Sequence, residues 1–312
     1  MKIYHLLPLL LLVMACGGGQ KQREVKEMVS QEPDPMPQAS VAETTNSVVG
    51  DTAEIKMLKE FYSAELAPRL RKRDELQKHY DNYFSKAMRG RIWRMLWDAD
   101  ASMVIRAQDV PVDSCETLKI APLGNSWYRV SYTSGRGTDY EESISIPVKV
   151  VKEDGKYCVG YITPEALGGQ YGDSLWYSGT AFPEVDRTEP LAFVKSFYDL
   201  YTLKHSTLSE HLLQELAAIR SDYLTPKALS CFNRMEQLSS NDGYPEYDVL
   251  IGRHDFEYPW RSSVSVNPTD QPDVFQVRVL DDSIRINVTE QEGKYYIDDI
   301  YNKECESFLP VE

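Results

Sequence analysis

Apolar residues recur at helical spacing along three consecutive segments in the C-terminal part of the chain. The segments are PLAFVKSFYDLYTL (190–203), STLSEHLLQELAAIRSDY (206–223) and TPKALSCFNRMEQL (225–238). Spacings of three and four residues between apolar positions predict amphipathic helices. Thr225 is a favourable N-cap and Pro226 suits the first helical position, so the third helix has a strong start signal. We therefore predict three helices in this part of the chain.

Runs in which apolar and polar residues alternate follow these helices. PDVFQVRVL (272–280) and DSIRINVTE (282–290) show this alternation, and a turn at Gly293 leads into a further run. A period of two residues predicts β-strands with one apolar face, and the turn at Asp281–Asp282 is short enough for a hairpin. An antiparallel sheet with one apolar face must be covered, and the preceding helices are the available cover.

The same order of segments occurs earlier in the chain. EDGKYCVGYITP (153–164) is similar to QEGKYYIDDIYN (291–302), and MLKEFYSAEL (57–66) is similar to FVKSFYDLYT (193–202). Two further matches lie between them, at 81–96 against 221–236 and at 104–111 against 250–257. Four matches in one order indicate a tandem duplication. The expected fold is α+β, with two similar modules of about three helices packed on one face of a curved antiparallel sheet of four or so strands.

The first residues have the composition of a targeting segment. MKIYHLLPLLLLVMAC (1–16) has a positive residue and an apolar run that is too short to span a bilayer, which needs about 20 apolar residues. VMAC resembles the lipobox of bacterial lipoproteins, which implies lipid attachment at Cys16 and anchoring in the membrane of the cell envelope. The expected location is the outer membrane, with the periplasmic or surface face left open; an ordinary secreted protein is the alternative.

Composition predicts the boundaries of the remaining chain. Residues 17–52 lack periodicity and are rich in Gln, Glu, Ser, Thr and Pro, which is typical of a disordered tether. We expect the first module at 53–164 and the second at 190–305. Residues 165–189 are rich in glycine but contain four aromatic residues, so we expect an ordered connector between the modules.

The net charge of the chain narrows the classes of partner. The formal net charge of −14 disfavours nucleic acid as a partner, because binding to it depends on neutralising phosphates.

Once Cys16 is assigned to lipid, each half has two cysteines. The first half has Cys115 and Cys158, and the second half has Cys231 and Cys305. In an envelope compartment these are either disulfides or buried free thiols, and the sequence leaves both open.

Five residues are candidates for ligand binding. Asp248 and Asp255 flank VLIGRH, and Asp100 and Asp109 lie in the corresponding region of the first half, while His254 adjoins Asp255. Carboxylates on both sides of a crevice suit acid–base chemistry or the binding of a cation or a basic ligand. The alternative is that they cap turns by accepting main-chain hydrogen bonds, which their recurrence in both halves favours. Metal, cofactor and catalytic motifs were not found, so we predict no cofactor, no metal site and no catalytic residue.

The helix-first order, the Phe-Tyr pair of the first helix, YDVLIGRHDF and the terminal hairpin together resemble a family of bacterial lipoprotein domains of unknown function. These Bacteroidetes-type domains are similar to the nuclear transport factor two-like (cystatin-like) fold. The resemblance implies a fold and a location. The expected function is a non-enzymatic envelope module that binds a protein, peptide, glycan or small ligand. The alternatives are a toxin-immunity-type inhibitor, or a hydrolase or isomerase that uses Asp255, Asp248 or His254.

Overall fold

The computed structural model describes residues 52–67, 73–97, 102–107, 113–239 and 247–301. The expected targeting segment with Cys16, nearly all of the tether, Asp100, Asp109 and Cys305 lie outside these ranges. The first half contains α1 (Ala53–Glu65), α2 (Arg73–Tyr83), α3 (Lys86–Trp97), β1 (Lys119–Gly124), β2 (Trp127–Ser134), β3 (Glu142–Glu153) and β4 (Lys156–Ile162). The second half contains α4 (Pro190–His205), α5 (Leu212–Tyr223), α6 (Pro226–Ser239), β5 (Ser265–Pro268), β6 (Val274–Val279), β7 (Asp282–Gln291) and β8 (Lys294–Tyr301).

Each half has a four-stranded antiparallel sheet whose strands are ordered as in the chain, β1-β2-β3-β4 and β5-β6-β7-β8. The predicted α+β class is therefore confirmed. Alternation along β7 buries Ile284, Ile286 and Val288 and turns the residues between them outward. These side chains join Phe197, Tyr201 and other helix residues in one apolar core, and the first half has a core of its own. Within the described ranges, none of the helices combines the length and apolarity needed to cross a membrane.

The third helix of the second half begins as its sequence predicts. Pro226 is the first residue of α6, and the Thr225 hydroxyl accepts a hydrogen bond from the Ala228 N–H at 3.2 Å. The prediction for the second helix was too long, because α5 starts at Leu212 and not at residue 206. The Ser209 hydroxyl accepts the His211 N–H at 3.1 Å, so a short polar side chain here stabilises a turn instead of a helix.

Matching positions in the two halves join the helices to the last strand in the same way. The Ser85 N–H donates to the Val159 carbonyl at 3.0 Å, and the Thr225 N–H donates to the Ile297 carbonyl at 2.9 Å. The residues before Ser85 and Thr225 form parallel bridges to the same strands. These bonds satisfy groups on the outer edges of β4 and β8, which exposed edge strands would otherwise leave unpaired.

Two irregular features of the backbone also recur in both halves. A register shift lies between Lys149 and Val150 where β3 pairs with β4, and another lies between Asn287 and Val288 where β7 pairs with β8. Antiparallel bridges close a tight turn at 102–107 and another at 248–253. The order of elements and these irregularities are thus common to the two halves.

The connector at 165–189 packs on both halves. Its Trp176 ring lies 5.1 Å from the ring of Tyr161, on β4, and 5.9 Å from that of Trp127, on β2. Tyr177 stacks against Tyr258 of the second half with 6.0 Å between ring centroids. Trp127, Tyr161, Leu167 and Leu175 form a small apolar cluster, the connector cluster, against which Trp176 and Trp260 pack.

Cys115 and Cys158 are free thiols and do not form a disulfide with each other. Cys158 is buried on β4 next to Val151 of β3, where it packs as a small apolar residue. Cys115 lies in a short 3₁₀ helix at Ser114–Thr117. Cys231 is also a free thiol, and its expected partner Cys305 lies outside the described residues.

Candidate functional site

Asp248 organises the tight turn at 248–253. Its carbonyl accepts hydrogen bonds from the N–H groups of Ile251 and Gly252, and its own N–H donates to the Arg253 carbonyl at 2.9 Å. Its side-chain Oδ1 accepts the Leu250 N–H at 2.9 Å. An aspartate that accepts a main-chain N–H two residues ahead stabilises a turn. Gly252 supports the same turn with a φ of 70°, a conformation that favours glycine.

The second oxygen of Asp248 belongs to a buried polar group, the Asp248 cluster, formed by Tyr201, His205, Arg220 and Asp248. Oδ2 accepts the Tyr201 hydroxyl at 2.6 Å and lies 3.0 Å from His205 Nε2. Arg220 Nη1 lies 3.8 Å from the same oxygen and donates to the Tyr201 hydroxyl at 2.9 Å. Burial acts to raise the pKa of Asp248, but His205, Arg220 and Tyr201 outweigh it and lower that pKa. Asp248 is therefore held in its ionised form.

Asp255 belongs to a second buried group, the Arg91 cluster, which joins the two halves. It consists of Arg91 and Arg94 on α3, Tyr161 on β4, and Asp255 and Glu257 of the second half. Arg91 Nε donates to Asp255 Oδ2 at 2.8 Å, and Arg91 Nη2 bonds to Glu257 Oε1. Arg94 Nε lies 3.4 Å from the other oxygen of Asp255, and the Tyr161 hydroxyl donates to Glu257 Oε2 at 2.8 Å. All four charged side chains are at most 6 % exposed.

Two guanidinium groups face two carboxylates in the Arg91 cluster, so its charges balance. Burial acts to raise the pKa of Asp255, but Arg91 and Arg94 outweigh it and lower that pKa. The pKa of Glu257 is raised, because burial and the nearby charge of Asp255 outweigh the attraction of Arg91. The Arg91 guanidinium also lies over the Tyr161 ring, 4.9 Å from its centroid, which adds a cation–π contact.

His254 lies in irregular backbone between the turn at 248–253 and Asp255. Its ring meets the ring of Tyr247 edge to face, with 5.5 Å between centroids. This segment is not a strand, so the side chains of neighbouring residues need not point to opposite faces. His254 packs against Tyr247, whereas the Asp255 side chain is directed at α3.

The geometry brings Asp248 and Asp255 into separate networks in which both oxygens of each carboxylate already have partners. Asp100 and Asp109 lie outside the described residues. Among residues that the structure does describe, no group of three or more His, Cys, Asp or Glu side chains could hold a metal ion. The two networks neutralise buried charge. They also fix the segment at 247–257 against α3 and α4.

Sequence reasoning missed the partners of the two aspartates. Arg91 and Arg94 are three residues apart, a spacing that places them on one side of α3, which was the available signal. Position 231, which aligns with Arg91 in the second half, is cysteine. The Arg91 cluster is therefore a feature that the two halves do not share, and a comparison of the halves could have pointed to it.

Comparisons with known proteins give little further information. No family model matches the chain. A search of curated proteins finds no match either. Among solved structures, the chain is similar to a protein of unknown function from Bacteroides thetaiotaomicron, with 32% identity over 36% of this chain and 91% of that one, at a TM-score of 0.34.

Proposed function

We propose that this chain is a lipid-anchored protein of the bacterial cell envelope whose folded part binds another envelope component and catalyses no reaction. The observation that carries the proposal is the state of Asp248 and Asp255. A carboxylate that acts as acid or base must reach its substrate. Here both carboxylates are buried and hydrogen-bonded to arginines, to His205 or to main-chain N–H groups. These contacts favour a structural role over an enzyme that uses them.

The lipid anchor rests on the lipobox-like VMAC at residues 13–16. Its test is metabolic labelling of the full chain with a clickable fatty acid in a bacterial host. We expect labelled protein in the membrane fraction, and Cys16→Ala to abolish both labelling and sedimentation with membranes. Cys115→Ala is the matched control and keeps the label. Labelling that survives Cys16→Ala contradicts the anchor.

We further propose that the two halves arose by tandem duplication and share the nuclear transport factor two-like (cystatin-like) fold. Support comes from the repeated element order and from the irregularities that recur at matching positions. These are the Ser85–Val159 and Thr225–Ile297 bonds, the two closed turns and the two register shifts. An α+β fold can protect an edge strand and close a turn in other ways, so the coincidence of all these irregularities at matching positions favours common descent.

Crosslinking in cells tests the binding role. A photoreactive residue is placed at Lys195 on α4, at Lys119 on β1 or at the exposed Tyr140, one position per variant, in the anchored protein. We expect one position to capture a discrete envelope partner and the others to give little. Absence of any crosslink at these positions contradicts the binding role. Turnover of a substrate that Asp255→Asn abolishes in a folded protein contradicts the proposed lack of catalysis.

A further inference from the structure

An open cleft of about 390 Å³ lies between α4 and the segment that leads into β5. It is lined by Lys195, Tyr198, Asp199, Thr202, Arg261, Val264, Ser265 and Val266. Its volume is in the range of sites that hold small ligands or short peptide segments. The Arg91 cluster and the Asp248 carboxylate take no part in lining it.

One side of the cleft is the open edge of the second sheet. The Thr269 N–H donates to the Val274 carbonyl at 3.1 Å, and β5 continues the same register with Val266 opposite Val277. Antiparallel pairs alternate between bonded and non-bonded positions, so the N–H and C=O of Val266 point away from β6. Neither group has a hydrogen-bond partner among the described residues. Val266 thus offers one donor and one acceptor to an added strand.

The charges at the cleft are mostly positive. Lys195 is exposed and has no ion pair within the described part of the chain. Arg261 bonds to Asp199 through Nη2, its Nε is buried without a partner, and its Nη1 is left for a further acceptor. Two cations against one carboxylate leave a net positive site on a chain whose net charge is −14. An acidic group therefore complements the cleft.

We propose that this cleft binds a short extended peptide segment of a partner protein, with an acidic side chain directed at Lys195 and Arg261. The segment adds to β5 as a strand through the N–H and C=O of Val266. A residue directly opposite Val266 has its side chain on the same face of the sheet. Val264 and Val266 pack toward the core on the face that α4 covers, so that side chain points toward α4. The proposal deepens the proposed function and rests on it.

Three probes test the proposal on the purified full chain with ¹⁵N-valine labels. They are acetyl-Thr-Thr-Glu-Thr-Thr-amide, its counterpart with Gln in the central position, and acetyl-Glu-amide. We expect the Glu pentapeptide to shift the Val266 amide resonance and to bind about fivefold or more tightly than the Gln pentapeptide at low salt. We expect acetyl-Glu-amide to bind more weakly, because it lacks the flanking residues that extend along the edge. Equal binding of acetyl-Glu-amide, or no shift at Val266, overturns the proposal.

Variants separate the two recognised groups. We expect the double variant Lys195→Gln, Arg261→Gln to lose the preference for the Glu over the Gln pentapeptide. We expect Val266→Pro, which removes the main-chain N–H donor, to bind both pentapeptides more weakly. Proline is tolerated at edge positions whose N–H faces away from the ladder. Lys119→Gln, an exposed lysine on the edge strand β1, is the matched control and leaves binding unchanged. If the peptides fail while crosslinking captures a partner elsewhere, this site is wrong and the proposed binding role stands. If both fail, the binding role fails as well.

Discussion

Arg91 contacts two buried carboxylates at once, so its loss affects more than one ion pair. In Arg91→Ala, Glu257 loses its cationic hydrogen-bond partner, and of its two arginine contacts Asp255 keeps only the longer one, with Arg94. Removing one partner of a buried ion pair typically costs about 3–5 kcal/mol, because the remaining charge stays desolvated. We expect a loss of this size in the free energy of unfolding, measured by urea denaturation.

Arg89 on the same helix provides the control for that measurement. Arg89 pairs with Asp81 at 3.3 Å, and both side chains are about a third or more exposed, at 32 % and 43 %. Exposed pairs contribute about 0–1 kcal/mol, so Arg89→Ala should change stability little. Equal losses for the two variants would show that helix propensity, and not buried charge, explains the effect of Arg91.

Asp248 and Glu257 should have opposite effects on the pH dependence of stability. The folded-state pKa of Asp248 is lowered, so its contribution is present above the unfolded value of about 3.9 and is lost as pH falls through the folded value. The folded-state pKa of Glu257 is raised, so its contribution is present below about 4.3 and is lost as pH rises through the folded value.

Unfolding free energies of the wild type, Asp248→Asn and Glu257→Gln between pH 3 and 8 test this contrast. The stability difference between the wild type and Asp248→Asn should move in favour of the wild type as pH rises from 3 to 5. The difference between the wild type and Glu257→Gln should move against the wild type as pH rises. Parallel profiles for the three proteins would contradict both pKa directions.

At the scale of the element, Thr225 combines a helix cap with a strand contact. Its hydroxyl accepts the Ala228 N–H at 3.2 Å and donates to Asp298 Oδ1 at 3.0 Å. Loss of an N-cap hydroxyl costs about 0.5–2 kcal/mol, so Thr225→Ala should lower stability by about that amount. Thr225→Ser keeps the hydroxyl and should recover most of the loss in urea denaturation. No recovery with serine would assign the effect to the lost methyl group instead.

Local signals predicted most of the elements but not their polar contacts. The Thr225-Pro226 start and the alternation along β7 depend on neighbours within a few residues, so the sequence shows them directly. The start of α5 was misjudged because Leu208 continues the apolar spacing while Ser209 forms a turn. Arg91 and Asp255 are 164 residues apart, and their contact depends on how the halves pack, which no local pattern encodes.

At the scale of the whole molecule, the halves are coupled by contacts that include two buried groups among the described residues. The Arg91 cluster joins α3 and β4 to residues 255–257, and the connector cluster packs residues of the first half and of the connector against Trp260. Unfolding of one half would remove the partners of the charges that the other half contributes to the Arg91 cluster, so we expect the two halves to unfold together. We expect one calorimetric transition for the wild type, with equal calorimetric and van't Hoff enthalpies.

The double variant Arg91→Ala with Trp176→Ala should separate this transition into two, because it weakens both contacts and leaves each sheet with its own apolar core. Arg89→Ala with Tyr140→Ala is the matched control, since both residues lie away from these contacts and Tyr140 is 88% exposed. The control should keep one transition. Two transitions in the wild type would mean that the halves are stable independently, and the Arg91 cluster would then set their orientation without adding to their cooperativity.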